Sequence, residues 1–324
     1  MTKEAYLKNN ERMKSSLRFM RRSILAILWL TAVTGFHQLF DWPIAVSLII
    51  FSIVPLIGYS LGNEKILTVG IITGFLGMIA CLWSVQPGSH RDWAVEFSVL
   101  PEIKIIDQRV SIDGFRNFRW SSPEAYEPIW EKRFFDLGRL ESLDLVVEPF
   151  QDSDFLAHTM LRFGFADQGY LIVSVEARRE KHETYNLVAG AFRQFELMYL
   201  FGAENDLLAL RAVHRGTRLY IYPIKAERQF IVELFRDLAL SANQLHSEPR
   251  FYRSIRDNCT TTLVKHFERR WAKKIGLRRE TLFPALTGKL LYQMGCMDTA
   301  LSYDEAKKHF RVDERMRRLY GEGR

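Results

Sequence analysis

Three long apolar runs open the chain: Ile24 to Phe40, Pro43 to Gly62 and Ile66 to Val85. Each is roughly 17 to 20 residues long, close to what an α-helix needs to cross the hydrocarbon layer of a bilayer. None contains Lys, Arg, Asp or Glu, and His37 lies near the end of the first. Only Asp41-Trp42 and Asn63-Glu64-Lys65 separate them. That crowding argues against a single buried core helix, and against a cleaved signal peptide, because the second and third runs follow at once. The pattern predicts three N-terminal transmembrane helices.

Beyond Trp83 the pattern changes to short apolar segments broken by turns. Pro87-Gly88-Ser89 marks the exit from the membrane. Ile103 to Trp120 reads as short strands broken at Asp113-Gly114, a strong turn signal. Leu143 to Val147 reads as a buried strand. Phe155 to Phe165 and Tyr170 to Glu176 read as two more, separated by Asp167-Gln168-Gly169, and Leu219 to Tyr222 as another, ended by Pro223. Phe230, Ile231, Leu234, Phe235, Leu238, Ala242 and Leu245 recur at helical spacing, so an amphipathic helix is expected there, ending before Pro249. A further helix is expected from a cap at Asp257 or Asn258, through Leu263 and Phe267, toward Trp271. The stretch Asp304 to Leu319 predicts a charged, peripheral helix. No internal repeat is visible. The expected organisation is a basic N-terminus (1–22), a three-helix anchor (23–86) and one α+β domain (87–324).

Charge orients this plan. Lys3, Lys8, Arg12, Lys14, Arg18, Arg21 and Arg22 precede the first span, so the N-terminus is expected in the cytoplasm. The stretch Arg12 to Arg22 reads as a solvated positive-inside flank. The first loop carries Asp41 and the second Lys65, in agreement. Three spans then place everything after Val85 outside the cytoplasm, in the periplasm of a Gram-negative cell, with the anchor in the bacterial inner membrane. Trp29, Trp42 and Trp83 sit where an aromatic belt would place them, though packing would explain them equally. The net charge of +7 suits anionic headgroups. No zinc-finger spacing, basic region leading into heptads or Gly-rich phosphate loop occurs, so no nucleic-acid partner is expected.

Of the three cysteines, Cys81 lies in the third apolar run. Cys259 and Cys296 are too few for a disulfide framework, and their pairing stays open. No cluster of His, Cys, Asp and Glu has metal-ligand spacing, so neither metal nor cofactor is expected. Cys259 draws attention because it opens a predicted helix in Arg256-Asp257-Asn258-Cys259-Thr260-Thr261-Thr262. Unpaired backbone N–H groups and the positive helix end favour a thiolate there. A small buried, inert cysteine is the plainer alternative. A nucleophile needs a base within hydrogen-bond reach. His266 lies seven positions along the same helix, about 10 Å away, which is too far. His158, on the strand Leu156 to Met160, is the better candidate, unless it merely bonds a carbonyl. Ser174 and Glu176 share a strand face, so Glu176 is a candidate third residue. Arg178 offers it an ordinary ion pair instead. His182, His214 and His246 read as surface residues.

The segments Arg116 to Arg119, Ala157-His158-Thr159-Met160-Leu161-Arg162-Phe163-Gly164-Phe165, Ser174 to Glu180 and Phe251-Tyr252-Arg253 through Asn258-Cys259-Thr260-Thr261 together resemble one bacterial family. It is the family whose extracytoplasmic domain forms the N-terminal half of Lnb-type lipoprotein N-acyltransferases, and the likeness runs from about Arg91 onward. The resemblance implies a permuted papain-like (NlpC-like) cysteine domain, with the histidine strand first and the cysteine helix last. It implies Cys259 as nucleophile, His158 as general base and Glu176 as the third residue, and acyl transfer through a thioester. Two departures stand out. In Lnb-type enzymes the membrane helices follow the domain rather than precede it, and Asn205 stands where arginine is expected. The leading expectation is a membrane-tethered thiol acyltransferase or hydrolase acting on phospholipid or lipoprotein. A cell-wall amidase or peptidase and a non-enzymatic envelope scaffold are the alternatives.

Overall fold

A computed structural model describes residues 3–40, 43–88, 91–150, 153–271, 274–276 and 278–321. Asp41 and Trp42 of the first loop and Ser89 of the exit turn lie outside the described residues. The chain divides into two compact units, residues 1–86 with 192–194 and residues 87–191 with 195–324.

The first unit contains α1 (Lys3–Phe40), α2 (Ile44–Ser60) and α3 (Glu64–Ser84). Two helical stretches, Arg12–Phe40 and Glu64–Ser84, are long and apolar enough to cross a membrane, where the sequence predicted three. The second apolar run spans Pro43 to Gly62, but Pro43 caps the helix and Gly62 leaves it at φ +61°. The 17 residues between rise only about 25 Å, against a hydrocarbon core of about 30 Å. Asn63 caps α3 by accepting from the amides of Lys65 and Ile66, at 3.1 and 3.3 Å. Gly58 permits close packing of α2 on α3, since a Cβ there would lie 2.4 Å from the Leu67 nitrogen. The basic flank Arg12 to Arg22 is exposed throughout, and at its end Arg21 donates to Glu64 Oε2 at 2.7 Å and to Thr68 Oγ1 at 2.6 Å.

The second unit begins with β1 (Glu102–Ile106), β2 (Arg109–Arg116), β3 (Arg119–Trp120), β4 (Tyr126–Glu127), β5 (Trp130–Asp136), β6 (Leu140–Pro149), β7 (Ala157–Phe165) and β8 (Gly169–Arg178). It continues with α4 (Leu187–Ala191), β9 (Glu196–Ala203), α5 (Glu204–Ala209), β10 (Tyr220–Pro223), α6 (Arg228–Ser247) and α7 (Cys259–Arg270). Short helices α8 (Arg279–Leu282), α9 (Thr287–Gln293), α10 (Tyr303–His309) and α11 (Asp313–Tyr320) close it. The described residues form a main sheet in the order β1-β2-β9-β8-β7-β6-β10, with β5 also on β2; β3 and β4 make a separate ribbon. Among the described residues, only β2 and β9 pair in parallel; the other neighbours are antiparallel. This is a mixed α+β architecture.

Strand alternation sends side chains to both faces, and each face has its own helices. Leu161, Phe163, Val173 and Phe201 pack with Phe235, Leu238 and Leu263 of α6 and α7. Met160, Ile172 and Leu200 point the other way, onto Leu207, Leu208 and Met316 of α5 and α11. Burial on both faces explains why β9, Glu-Leu-Met-Tyr-Leu-Phe-Gly-Ala, has every residue buried and no alternation to betray it.

Two local expectations need correction. Asp113-Gly114 does not end a strand: β2 runs through it, and Gly114 at φ +74° sits in the register shift between Ile112 and Phe115. The hairpin turn falls at Asp107-Gln108 instead, with Asp107 at φ 55°. Asp304 to Leu319 is not one solvated helix but parts of α10 and α11, interrupted where Arg311 bridges Tyr220. Asp313 and Met316 are buried, the former taking Arg311 at 2.8 Å.

Candidate active site

The site lies where the start of α7 meets the first residues of β7 and the last residues of β8. Asn258 begins α7 with a reciprocal cap: its side chain accepts from the Thr261 amide at 2.8 Å, while Thr261 Oγ1 accepts from the Asn258 amide at 3.0 Å. The cap makes Cys259 the first helical residue, and the amides of Cys259 and Thr260 have no intrahelical acceptor. Cys259 is buried, with Sγ 4.0 Å from Ala157 O and 3.9 Å from Thr260 Oγ1. It shares a cleft wall with His158, close enough for the two side chains to interact electrostatically. No disulfide joins it to Cys296.

His158 is the second residue of β7, opposite Glu148 of β6. Its Nε2 is 2.7 Å from Ser174 Oγ and 3.1 Å from Glu176 Oε1. Ser174 donates to that same carboxylate oxygen at 2.7 Å, so its hydroxyl accepts from the imidazole. Nε2 therefore carries a hydrogen, leaving Nδ1 as the nitrogen available to the thiol. Glu176 is steadied in turn by Arg211, 3.6 Å away, which lies on a π-helical turn following α5. Arg211 Nε bonds Glu148 Oε2 at 2.7 Å, and Thr217 Oγ1 donates to Glu148 Oε1 at 3.0 Å. A line of alternating charges thus runs from Glu148 through Arg211 and Glu176 to His158 and Cys259.

The electrostatics follow from that line. Burial alone would push the Cys259 thiol up, but the facing imidazolium outweighs it and holds the thiol below its ordinary value. Burial would lower the His158 pKa; the Glu176 carboxylate and the Cys259 thiolate instead raise it to about 10. Burial opposes ionisation of Glu176, yet His158, Arg211 and Ser174 hold its carboxyl well below the usual range. All three shifts favour a thiolate–imidazolium pair over a neutral thiol and imidazole.

The three residues singled out in the sequence are thus brought together. Arg178 does not compete for Glu176: its guanidinium bonds Phe97 O at 2.9 Å and Ser98 O at 3.1 Å, and lies 3.8 Å from Glu196. His266 is buried two turns along α7, bonded to Asp237 Oδ2 and Tyr199 OH, each at 2.6 Å. Burial keeps its pKa below the ordinary value despite Asp237. His182 and His246 are exposed and His214 is half-buried. Asn205 bonds Asn117 at 3.2 Å, beside the buried pair Arg116–Asp206 at 2.8 Å. Glu148, Arg211 and Thr217 had no sequence signal, because their role depends on pairing across β6 and on the turn after α5. Above Cys259, His158 and Glu176 opens a cleft of about 180 Å³, with Tyr185, Tyr252 and Leu156 among its walls.

Residues 126–293, just over half the chain, match the family model for the Lnb N-terminal periplasmic domain. The chain belongs to that family. No curated protein and no solved structure matches it. The match to the Lnb N-terminal periplasmic domain family covers every strand from β4 to β10, together with His158, Glu176 and Cys259. A periplasmic domain family and two apolar N-terminal helices of spanning length are consistent with a membrane-anchored periplasmic protein.

Proposed function

We propose that this chain is a membrane-anchored periplasmic thiol acyltransferase or hydrolase, working on the acyl esters of lipids or lipoproteins through Cys259 and His158. One observation carries the reading: a buried thiol at a helix start shares one cleft with an imidazole whose Nε2 lies 3.1 Å from a carboxylate. The order of parts, histidine strand before cysteine helix, supports a permuted papain-like domain. In the anchor of such a protein, the N-terminus is cytoplasmic and α2 crosses as a short third span.

The chemistry follows from the geometry. The Cys259 thiolate adds to the ester carbonyl, forming the C–S bond and pushing the carbonyl electrons onto oxygen. The uncommitted amides of Cys259 and Thr260 are placed to hold that oxyanion. Collapse breaks the C–O bond, and the departing alkoxide takes the proton of the His158 imidazolium. Neutral His158 then removes a proton from an incoming amine or water, which adds to the thioester. The second collapse expels the thiolate and leaves the imidazolium, so the site is regenerated. Glu176 fixes the ring and stabilises its charge throughout.

The test is alkylation of the full-length, detergent-solubilised protein with iodoacetamide across pH, comparing wild type with Cys259→Ala and His158→Ala. Fast labelling at Cys259 below the pH of an ordinary thiol, lost without His158, is expected. Incubation with fluorescent acyl lipids and a lipopeptide should then leave a hydroxylamine-labile acyl group on Cys259, while a muropeptide should not compete. Slow labelling with an ordinary pH profile would reduce the domain to a scaffold. Competition by the muropeptide would favour a cell-wall amidase.

A further inference from the structure

The cleft walls combine two features that the acyl-transfer steps do not use. Arg179 and Arg215 both line the cleft. Arg211, their neighbour, is committed to Glu148 and Glu176, whereas no carboxylate among the described residues lies within ion-pair distance of either Arg179 or Arg215. Arg179 lies over the Phe97 ring, 5.0 Å from its centroid, a contact that leaves the guanidinium edge available. Among the lining residues Leu156, Leu187, Ser254, Leu282 and Pro284, and next to them in sequence, a rim of large apolar side chains faces solvent. Phe155, Leu187, Val188, Ile255, Leu282 and Phe283 are each at least 36% exposed. They come from four segments joined in two pairs: Ser254 Oγ bonds Leu187 O at 2.7 Å, while the Ala285 amide bonds Phe155 O at 3.1 Å and the Phe155 and Phe283 rings lie 5.4 Å apart. Leu187 and Leu282 belong to both rim and cleft wall.

A rim of this kind on a soluble domain marks a binding surface. Its occupant is set by what accompanies it: cations within the cleft, a thiol suited to esters, and α3 ending at Ser84, with only Val85 and Gln86 before this unit begins at Pro87. Building on the acyl-transfer reading, we propose that the cleft takes a glycerophospholipid directly from the bilayer. The rim contacts the lipid surface, and Arg179 and Arg215 hold the phosphodiester while the neighbouring acyl ester reaches Cys259. Two guanidinium groups suit a phosphodiester's paired oxygens better than a single ammonium would.

Two measurements on the full-length protein reconstituted in phosphatidylglycerol-containing vesicles test this. In a Cys81→Ser, Cys259→Ser, Cys296→Ser background, an NBD label at Ile255→Cys should shift to the blue and be quenched by spin-labelled lipid. The same label at Phe134→Cys, exposed on edge strand β5, should do neither. Equal behaviour at both positions overturns the lipid-facing rim. Separately, a diether phosphatidylglycerol should protect Cys259 from iodoacetamide, and a diether glycerol lacking phosphate should protect it far less. Arg179→Gln with Arg215→Gln should weaken the phospholipid's protection about tenfold, as expected for lost charge-assisted hydrogen bonds. Protection is read as the ratio of the rates with and without lipid for each protein, so a change in the thiol's own reactivity cancels. Equal protection by both lipids, or no effect of the arginine changes, overturns the phosphodiester role while leaving the dyad standing. A slow unprotected rate in the wild type would instead remove the dyad itself.

Discussion

Glu176→Gln is the sharpest probe of the charge line, because it removes one negative charge while keeping shape and a hydrogen-bond acceptor. The carboxylate oxygen lies 3.1 Å from His158 Nε2. At an effective dielectric constant of about 20, two unit charges at that distance attract by about 5 kcal/mol. Arg211, 3.6 Å from the same oxygen, cancels much of that field, and the glutamine dipole replaces some of the rest. The net loss should fall in the range of about 1 to 3 pKa units usual for a close opposite charge. His158 should become less basic by that amount, and the Cys259 thiolate it supports should require correspondingly higher pH. Alkylation of Cys259 by iodoacetamide reads this directly. Its acid limb should move up, so the rate at a pH below both limbs should fall about 10- to 1000-fold. At high pH, where the thiolate forms without help, wild type and variant should converge. A variant profile superimposing on wild type across the acid limb would refute the coupling and leave Glu176 as packing alone.

Three further outcomes follow from the same network. Arg211→Met should leave Glu148 buried without its cation and Glu176 with His158 alone, costing about 3–5 kcal/mol, read as a lower urea midpoint of the domain. Asn258→Ala should cost about 1 kcal/mol, a fall of about 2–4 °C in the thermal midpoint of a domain this size. It should also slow Cys259 alkylation, since the cap sets the first turn. Finally, the site should stabilise the fold most in mildly acid solution. The raised His158 pKa gives a contribution complete below its ordinary 6.5 and lost as pH rises toward about 10. The depressed Glu176 pKa gives one present above its ordinary 4.5 and lost as pH falls through the lowered value. Thermal unfolding of wild type minus Glu176→Gln, measured against pH, should therefore show the largest difference between about pH 4.5 and 6.5; a difference flat with pH would oppose this.

Much of the site was legible in the sequence, because its parts are local. A cap residue before a cysteine announces a helix start, and β7 and β8 announce themselves by a turn at Asp167-Gln168-Gly169, where Asp167 and Gly169 both adopt positive φ. Period-two spacing correctly put Ser174 and Glu176 on one face. What escaped was non-local or patternless. The strand β9 lacks alternation because both its faces are covered, and β5 pairs with β2 across residues that show mixed exposure. Asp113-Gly114 misled because the same glycine that permits a turn also permits a bulge within a strand. Arg211 and Glu148 meet only once β6 and the turn after α5 are assembled.

That assembly explains why so many ionised groups can sit together below the surface. A buried carboxylate alone would protonate, and a buried imidazole alone would lose its charge. Here each charge faces an opposite one: Glu148 has Arg211, Arg211 also has Glu176, Glu176 has His158 and His158 has Cys259. Such a chain is a costly way to stabilise a fold, since apolar residues of equal volume would do as well or better. On the proposed acyl-transfer reading its physical yield is different: the thiolate at the end is charged before any substrate arrives, in surroundings that need not reorganise as the oxyanion forms. The cost is met by the sheet core on either side, where Phe163, Phe201 and Phe235 pack on one face and Met160, Leu200 and Leu207 on the other. The strand bearing His158 is therefore held by apolar packing along its length and by charge only at its end, beside Cys259.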